Sequence, residues 1–378
     1  MDKIIYLDNA ATTKPLKAAL ENAAVYNDEM FYNPSALYHG GLAVRKAVEE
    51  GRKSLSSLFG GNFDPVFLSC GTEADNTVIA SYAKRGNIVT TEGEHSAIYA
   101  PAQSLKNAGY DVRFATLDRH GGVNEENLLS LIDKNTQLVS VVHVNNETGE
   151  VNDINKIAAR AKSINKNLIF HSDGVQAFCK IPFRPSDNID FYSVSAHKIG
   201  GLKGTGILFK NKKVRNLKPL VLGGGQENGL RSGTENVFGI KVMEYAAVYR
   251  YSSLQENYRK ISDIKKAVLN ALDKNIFEVI SGDNSSPYVL TVSAVGLRGE
   301  VIQHALEKSG IIVGTGSACS SKHPHSRMLK SIGYSEKELD GVIRISFSPE
   351  SELSDALFAA EKLNEAATEL KRTIYNLK

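Results

Sequence analysis

The feature that most constrains the fold is an alternation of short apolar runs with helical stretches, which begins near residue 65 and continues to about residue 210. Seven runs rich in β-branched and aromatic residues mark the strands, at residues 65–70, 87–91, 111–117, 137–144, 167–173, 189–198 and 204–210. Strands that alternate with helices are typical of a parallel sheet covered by helices on both faces. The sequence therefore predicts an α/β fold with a mostly parallel seven-stranded sheet.

The residues that follow this sheet predict a second, smaller unit. A long helical pattern runs from about Asn236 through SLQENYRKISDIKKAVLNALDK. After it come the apolar run PYVLTVSAV, the helical stretch EVIQHALEKSG, the strand-like VIRISFS and a terminal helix from about Glu352. This order predicts a small α+β domain at residues 251–378, after a large domain at residues 14–250.

Composition and charge argue against several functional classes. The 45 basic and 42 acidic residues leave a net charge of +3, which gives no basis for attraction to nucleic acid or to an anionic membrane. No apolar run approaches the ~18 residues of a membrane-spanning helix. The N-terminal sequence MDKIIYLDNAATTK has no signal-peptide pattern. Cys70, Cys179 and Cys319 are too few and too widely spaced for a disulfide framework, so we expect a reducing, cytoplasmic location.

A lysine follows one of the predicted strands. In SAHKIGGLKGTG, Lys198 stands between an apolar run and a glycine-rich turn, so its amine should emerge at the carboxyl edge of the sheet, where α/β proteins bind ligands. A solvated surface charge is the simpler interpretation of an arbitrary lysine. Ser195 and His197 favour a functional interpretation of Lys198, because small polar groups beside an amine can hold an anion. A partly desolvated lysine reacts with carbonyl groups, and its common use is a Schiff base with pyridoxal phosphate.

Other strand ends carry polar residues that each allow two interpretations. Asp173 is a helix N-cap or a counter-charge for a pyridine nitrogen, whose ring oxygen Gln176 could reach. Thr72 is a cap or part of an anion site at a helix start. His95 is a structural residue or stacks on a heteroaromatic ring, and Asn146 is a turn residue or binds a ring oxygen. Together with the lysine, these groups match the parts of a pyridoxal-phosphate site.

The segment VGTGSACSSKHPHS, residues 313–326, places a thiol where little can bury it. Cys319 stands among glycine and serine residues, although a free cysteine is usually buried. His323 and His325 follow it and could stabilise a thiolate. The same three residues could instead bind zinc in a metal-binding or sulfur-carrier protein, which would leave the lysine and acid at the strand ends unexplained. An inert loop thiol is the remaining alternative.

Ten ordered segments resemble the NifS/IscS-like cysteine desulfurases, which are fold-type I pyridoxal-phosphate enzymes of the class V aminotransferase group. The segments are YLDNAATT (6–13), NPSALYHGG (33–41), GTEADN (71–76), EGEHSAI (92–98), HVNNETGEV (143–151), DGVQ (173–176), SAHKIGGLKGTG (195–206), RSGTEN (231–236), GSACSS (316–321) and VIRISFS (342–348). The resemblance implies the fold-type I architecture, with residues 1–13 near the small domain and the active site.

The resemblance also implies a role for each matching residue. Lys198 would form the Schiff base, Asp173 would pair with the pyridinium nitrogen, and His95 would stack on the ring. Asn33 and Arg344 would bind the substrate's α-carboxylate, for which the fork of an arginine is well suited. The remaining contacts would be those of Asn146 and Gln176 with the ring oxygen, of Gly71, Thr72, Ser195 and His197 with the phosphate, and of Thr234 with the phosphate in the partner subunit of a homodimer.

The implied activity is removal of sulfur from L-cysteine, which gives L-alanine and a persulfide on Cys319. The sulfur would then pass to an iron–sulfur scaffold or to a tRNA-thiolation enzyme, and Cys319 could also act as a transient iron–sulfur ligand. A selenocysteine lyase or another class V aminotransferase is the alternative, although a plain aminotransferase needs no loop thiol. We expect no resident metal, no membrane partner and no direct nucleic-acid partner.

Overall fold

The computed structural model describes residues 3–83, 86–316 and 325–376. The strands are β1 Ile5–Leu7, β2 Phe63–Leu68, β3 Asn87–Thr91, β4 Asp111–Ala115, β5 Thr136–Ser140, β6 Ile169–Asp173, β7 Phe191–Ser195, β8 Gly206–Asn211, β9 Phe277–Val279, β10 Val289–Ala294, β11 Ile311–Thr315 and β12 Val342–Ser346. The helices are α1 Lys17–Ala23, α2 His39–Leu58, α3 Gly71–Tyr82, α4 Ser96–Asn107, α5 Glu125–Ser130, α6 Ile154–Ile164, α7 Val237–Ser252, α8 Leu254–Ala271, α9 Gly299–Lys308, α10 Arg327–Ser331, α11 Glu336–Asp340 and α12 Leu353–Asn376. Short 3-10 helices lie at Ala24–Tyr26, Ala196–Lys198 and Glu227–Gly229.

The large sheet has the strand order β2-β8-β7-β6-β5-β3-β4. The five strands from β7 to β4 are parallel neighbours, whereas β8 runs antiparallel to both β2 and β7. A parallel return needs a crossover of a dozen or more residues, and the segment between β7 and β8 is shorter than that, so β8 pairs in the opposite direction. The prediction of a mostly parallel seven-stranded sheet is confirmed.

Helices bury both faces of this sheet. On β7, Tyr192 and Val194 join an apolar cluster with residues of α2, α6 and α7. Phe191, which precedes Tyr192 and points to the opposite face, belongs to a second cluster, with residues of α3 and α4. Every residue of β7 is therefore buried, and its sequence reads as a run without the alternation of a half-exposed strand.

The small sheet joins the start of the chain to its C-terminal part. Its strand order is β1-β11-β12-β10-β9, with β1 parallel to β11 and the other pairs antiparallel. Residues of α8, α9 and α12 share its apolar core. β1 thus brings the N-terminal segment to the region between the two sheets. The predicted domain limits, residues 14–250 and 251–378, stay a prediction.

The long helical pattern predicted from about Asn236 is divided into two helices, α7 and α8, which meet at Ser253. Asn236 is the N-cap residue of α7, and its side chain accepts a hydrogen bond from the backbone N–H of Gly239. Near the break, the hydroxyl of Ser252 donates to the carbonyl oxygen of Tyr249, a local bond that competes with helix continuation. None of the helices in the described ranges is both long and apolar enough to cross a membrane.

Candidate active site

Polar side chains from several strands meet at the carboxyl edge of the large sheet. β6 ends at Asp173, and β7 is followed directly by the 3-10 helix that contains Lys198. β3 ends at Thr91, and a turn leads from it to His95 at the start of α4. Because β3, β6 and β7 run in the same direction, these strand ends share one edge of the sheet, where ligands bind in open α/β folds.

The amine of Lys198 faces the N-terminal segment. Its Nζ atom donates hydrogen bonds to the carbonyl oxygens of Ala10, at 2.6 Å, and Ala11, at 2.8 Å. Side-chain patterns contain no information about backbone acceptors, and the sequence analysis therefore missed these contacts. The amine is held in place by the segment that β1 brings across from the small sheet.

His197 is fixed against the same segment. Its Nδ1 atom lies 3.0 Å from the hydroxyl of Thr12, and the hydroxyl of Thr13 donates to its carbonyl oxygen at 2.9 Å. Burial, with the positive charge of Lys198 as a further cause, lowers the pKa of His197 to about 4. The imidazole is therefore neutral near pH 7 and acts through hydrogen bonds instead of charge.

A carboxyl group and an imidazole lie within electrostatic range of Lys198. Asp173 is 4% exposed; burial raises its pKa, while His95 and Lys198 oppose that rise. Burial lowers the pKa of His95, and the charge of Asp173 opposes that change. A buried carboxylate is costly unless a cation pairs with it. The arrangement suits a ligand that brings a protonated ring nitrogen to Asp173.

The structure shows which of three of these residues cap a helix. Asp173 caps no α-helix, since its Oδ1 atom accepts from the backbone N–H of Val175 within a turn, at 2.9 Å. Thr72 does not cap α3 either, because the N-cap residue is Cys70, which makes no side-chain cap bond. His95 does cap α4, with Nδ1 accepting from the N–H of Ala97 at 3.2 Å. The neutral ring of His95 consequently carries its proton on Nε2.

The start of α3 lies beside the end of β7, and its free backbone N–H groups could hold an anion. The first N–H groups of an α-helix have no partner within the helix and attract anions. A Cβ atom placed on Gly71 would lie 2.8 Å from Val175 Cγ2 and 3.6 Å from the Cβ of Ser195. Glycine is therefore required here because a Cβ atom would clash with Val175, whereas Ser195 lies at an ordinary van der Waals distance. The hydroxyl-bearing Thr72 is exposed on the first turn.

Arg344 reaches this region from β12 of the small sheet. Its Nη1 atom donates to the carbonyl oxygen of Asn146 at 2.9 Å, and its Nη2 atom donates to Asp8 Oδ1 at 2.8 Å. Arg344 is 5% exposed, and its Nε atom has no hydrogen-bond partner among the described residues. A buried guanidinium with a spare donor is suited to bind a carboxylate.

The amide residues near the site have different surroundings. Asn145 stabilises a turn, because its Oδ1 atom accepts from the N–H groups of Glu147 and Thr148. The neighbouring Asn146 is half-buried, and its carbonyl oxygen is the acceptor for Arg344. Gln176 is buried and donates from Nε2 to the carbonyl oxygen of Ala10 at 2.8 Å. Gln176 and Lys198 therefore share one backbone acceptor.

Two predicted site residues lie apart from this group. Asn33 is exposed, and its Oδ1 atom accepts from the N–H of Ser35. Thr234 is exposed in the segment before α7. Neither hydrogen-bonds to Lys198 or Arg344 in the ranges that the structure covers. Their exposure leaves them available to a second subunit or to a substrate.

The predicted thiol and one of its two histidines fall in the undescribed range. Cys319 and His323 lie outside the described residues. His325 is described, and its Nε2 atom lies 2.7 Å from Asp340 Oδ1 at the end of α11. Its influence on the Cys319 thiol stays a hypothesis.

Glu94 is a buried acid that the sequence analysis missed. Its Oε1 atom accepts from the hydroxyl of Thr91 at 2.7 Å and from the N–H of Val142 at 3.0 Å. These bonds tie the turn before His95 to the segment after β5. A glutamate in a turn ordinarily faces water. Only the position of this turn, directly after the buried strand β3, could have indicated that Glu94 is buried.

Replacement of Glu94 with glutamine should change how stability depends on pH. Burial raises the pKa of Glu94 from 4.5 to about 8, with Asp173 adding to the rise and Arg327 opposing it. Between those values the folded chain retains a proton that the unfolded chain has released, so the free energy of unfolding falls as pH increases. We expect Glu94→Gln to lose this slope and to gain stability relative to wild type toward pH 8. Thermal midpoints of the wild type, Glu94→Gln and the control Glu92→Gln, measured from pH 4.5 to about 8, test this expectation. Thermal midpoints that depend on pH in the same way in all three proteins would contradict it.

Comparisons with known proteins agree on one family. The family model described as "Aminotransferase class-V" matches residues 5–356. The cysteine desulfurase IscS of Dictyoglomus turgidum is 33% identical over 97% of this chain and 95% of its own length. A solved structure described as "NIFS-LIKE PROTEIN" has a TM-score of 0.91 and 31% identity, covering 97% of this chain and all of the other. A second structure, "SspA in complex with cysteine", has a TM-score of 0.79 and 28% identity. The match covers 92% of this chain and all of the other.

Proposed function

The chain belongs to the class V aminotransferase family and, within it, to the cysteine desulfurases, and from this premise we propose that it moves sulfur from L-cysteine onto Cys319 and releases L-alanine. The observation that carries the proposal is the meeting of Lys198 and Asp173 at adjacent strand ends, with Arg344 reaching the same edge from the small sheet. Wild-type protein should therefore release alanine from L-cysteine and none from L-serine.

The described residues fit pyridoxal phosphate, on which this family depends. The buried carboxyl of Asp173 suits a protonated ring nitrogen, and His95, the N-cap residue of α4, would stack on the ring. The start of α3, where Gly71 allows a close approach of the backbone to Val175, would hold the phosphate together with Ser195 and His197. Lys198 supplies the amine for the aldehyde carbon. When bound, the cofactor supplies an electron sink for the charge left at the substrate's Cα atom.

Further contacts would complete the cofactor site. They are those of Asn146 and Gln176 with the ring oxygen, of Gly71 and Thr72 with the phosphate, and of Thr234 with the phosphate in the partner subunit.

We propose that Arg344 binds the α-carboxylate of L-cysteine and that Asn33 assists it. Arg344 is held by Asp8 and by the Asn146 carbonyl, which fixes its fork before substrate arrives. Lys198 is then the group that moves the proton on the substrate's Cα atom. Its present acceptors, the carbonyl oxygens of Ala10 and Ala11, would keep the amine oriented during that transfer.

Substitution Arg344→Lys should weaken substrate binding more than it slows turnover. Lysine keeps the charge but lacks the planar fork, so we expect KM for L-cysteine to rise about tenfold to a hundredfold with a much smaller change in kcat. Arg113, on the outer strand β4, offers a matched control because it makes forked contacts with Asp111 and Asp133. Arg113→Lys should leave KM unchanged. An unaltered KM in Arg344→Lys would contradict the assignment.

Cys319 is proposed as the sulfur acceptor. Its thiolate would attack the sulfur of the bound cysteine, forming the S–S bond as the S–Cβ bond breaks; the bonding pair stays on Cβ, which takes up a proton and yields alanine. Gly314 pairs in register with Arg344 and precedes Cys319 by five residues, so in the sequence the thiol follows soon after a strand that adjoins the proposed carboxylate site.

We propose that the chain acts as a homodimer in the cytoplasm and passes its sulfur to an iron–sulfur scaffold or a tRNA-thiolation enzyme. Exposed apolar residues support the dimer. Leu37 is 82% exposed and Leu222 80%, and Phe31 stacks on Tyr32 at the surface. Such apolar surface usually marks a protein interface. A dimer would also bring the exposed Thr234 to a second site.

Sedimentation velocity tests the dimer. The wild type should sediment as a dimer, and Leu222→Asp should raise the dimer dissociation constant at least about a hundredfold, because a charge would be buried in the interface. Tyr110→Asp is the matched control, since Tyr110 is also exposed but lies just before the outer strand β4. A monomeric wild type, or equal effects of both variants, would contradict the proposed interface.

A further inference from the structure

Lys180 is a buried lysine that the proposed chemistry leaves without a role. It lies after β6, four residues beyond Gln176, and is 7% exposed. Burial lowers the pKa of Lys180 to about 7, and the positive charges of Lys198, Arg250 and Arg344 add to that fall. A buried amine among like charges is unfavourable for folding. A residue of this kind beside a cleft is a candidate for a functional role.

A short chain of hydrogen bonds connects Lys180 to the proposed Schiff-base lysine. The Nζ atom of Lys180 donates to Gln176 Oε1 at 2.8 Å. Gln176 Nε2 donates in turn to the carbonyl oxygen of Ala10 at 2.8 Å, and the same oxygen accepts from Lys198 Nζ at 2.6 Å. The two lysines also line one small cavity. One amide and one carbonyl therefore separate the two amines.

The bond from Lys180 fixes which end of the Gln176 amide faces the site. An ammonium or amine donor selects the amide oxygen, so the NH2 group must point the other way, toward Ala10 and Lys198. A flipped amide would place its NH2 group against the Lys180 donor and its oxygen against the Ala10 carbonyl oxygen. Both contacts of the flipped state are unfavourable.

We propose that Lys180 is a positioning residue, which holds the Gln176 amide with its NH2 group directed at the ring oxygen of the bound cofactor. The inference rests on the proposed function, which assigns Gln176 that contact. The oriented amide donor favours the deprotonated form of the ring oxygen and Schiff base, and the positive charge of Lys180 adds to this effect at and below about pH 7. Lys180 thereby adjusts the proton affinity of the group that receives the substrate amine.

Substitution Lys180→Met removes the donor and the charge while keeping an unbranched side chain. The pH midpoint of the visible absorbance change of bound pyridoxal phosphate should rise by about one unit, because both losses favour the protonated form. The kcat/KM for alanine release should fall about tenfold. The thermal midpoint of the cofactor-free chain should not fall, since removal of an amine buried among cations relieves repulsion. A purely structural lysine would show the reverse, a lower thermal midpoint with an unchanged absorbance midpoint.

Lys265 provides the matched control. Burial also lowers its pKa, to about 8, and its amine donates to Ser285 and to the Ser286 carbonyl, away from the Lys198 group. Lys265→Met should leave the absorbance midpoint where it is. Should Lys180→Met fail to fold, Lys180→Gln keeps a neutral donor and should raise the midpoint by about half a unit, through the loss of charge alone.

The outcomes separate this inference from the proposed function. An absorbance midpoint unchanged in the folded Lys180 variants would overturn the positioning role. A wild type that binds pyridoxal phosphate but releases no alanine would refute the desulfurase proposal, while the absorbance comparison would still test Lys180. A wild type that binds no pyridoxal phosphate would overturn both.

Discussion

Lys198→Ala should lower the rate of alanine release from L-cysteine by at least about a thousandfold. The amine of Lys198 is the nucleophile that would hold the cofactor and the base that would move the α-proton, and the substitution removes both functions. Because the side chain lies on a short 3-10 helix after β7 and is only partly buried, we expect the variant to fold. The loss should therefore appear in kcat and not as insoluble protein.

Lys203 provides the matched control for the Lys198 substitution. It lies five residues beyond Lys198, in the same glycine-rich segment, and is exposed. Lys203→Ala should retain wild-type turnover. Treatment with borohydride should fix pyridoxal phosphate covalently to the wild type and to the Lys203 variant, but not to Lys198→Ala. Residual alanine release from Lys198→Ala above about a tenth of the wild-type rate would contradict a covalent and basic role for this lysine.

The strands and their polar ends were the part of the molecule most accessible to sequence reasoning. A sheet covered on both faces requires near-continuous apolar runs, so β7 could be identified without alternation. The residues that end such runs are forced to the carboxyl edge by the parallel order of the strands. Asp173 and Lys198 could be placed at that edge for this reason.

Contacts that depend on distant segments could not be predicted in the same way. Lys198 bonds to carbonyl oxygens about 190 residues earlier, and Arg344 pairs with an aspartate 336 residues away. Backbone acceptors have no side-chain signature, and nothing local indicates that β1 joins the C-terminal sheet. The motif YLDNAATT was recognised as a match, but its physical role became visible only in the folded chain.

Buried ionisable residues were missed for a related reason. Glu94 lies in a turn and Lys180 follows an apolar stretch, and residues of both types are usually exposed. Their burial results from neighbours in three dimensions, which a local pattern does not contain. His95 shows a further limit: the structural and the ring-stacking interpretations were treated as rivals, yet the cap of α4 uses only the Nδ1 atom of the ring.

The sulfur acceptor is the central claim, and its removal should have the second large effect. Without the Cys319 thiol, the substrate's S–Cβ bond has no nucleophile to take the sulfur, so Cys319→Ala should lower alanine release at least about a hundredfold. Cofactor binding should be unchanged, because the proposed cofactor contacts lie on other residues. Retained absorbance of the bound cofactor would separate a loss of sulfur transfer from a loss of the site.

A second thiol in the chain serves as the control. Cys179 is 6% exposed, and burial raises the pKa of its thiol, so it is neutral and shielded from substrate. Cys179→Ala should therefore release alanine at close to the wild-type rate. Loss of activity in this variant would indicate that cysteine removal disturbs the fold.

The most direct measurement is alanine release from L-cysteine, in the presence of a reductant, by the wild type, Cys319→Ala and Cys179→Ala side by side. We expect alanine from the wild type and from Cys179→Ala, with a persulfide detectable on Cys319, and almost none from Cys319→Ala. Alanine release by Cys319→Ala at the wild-type rate would contradict the account and would mean that the sulfur leaves by a route that does not involve this thiol.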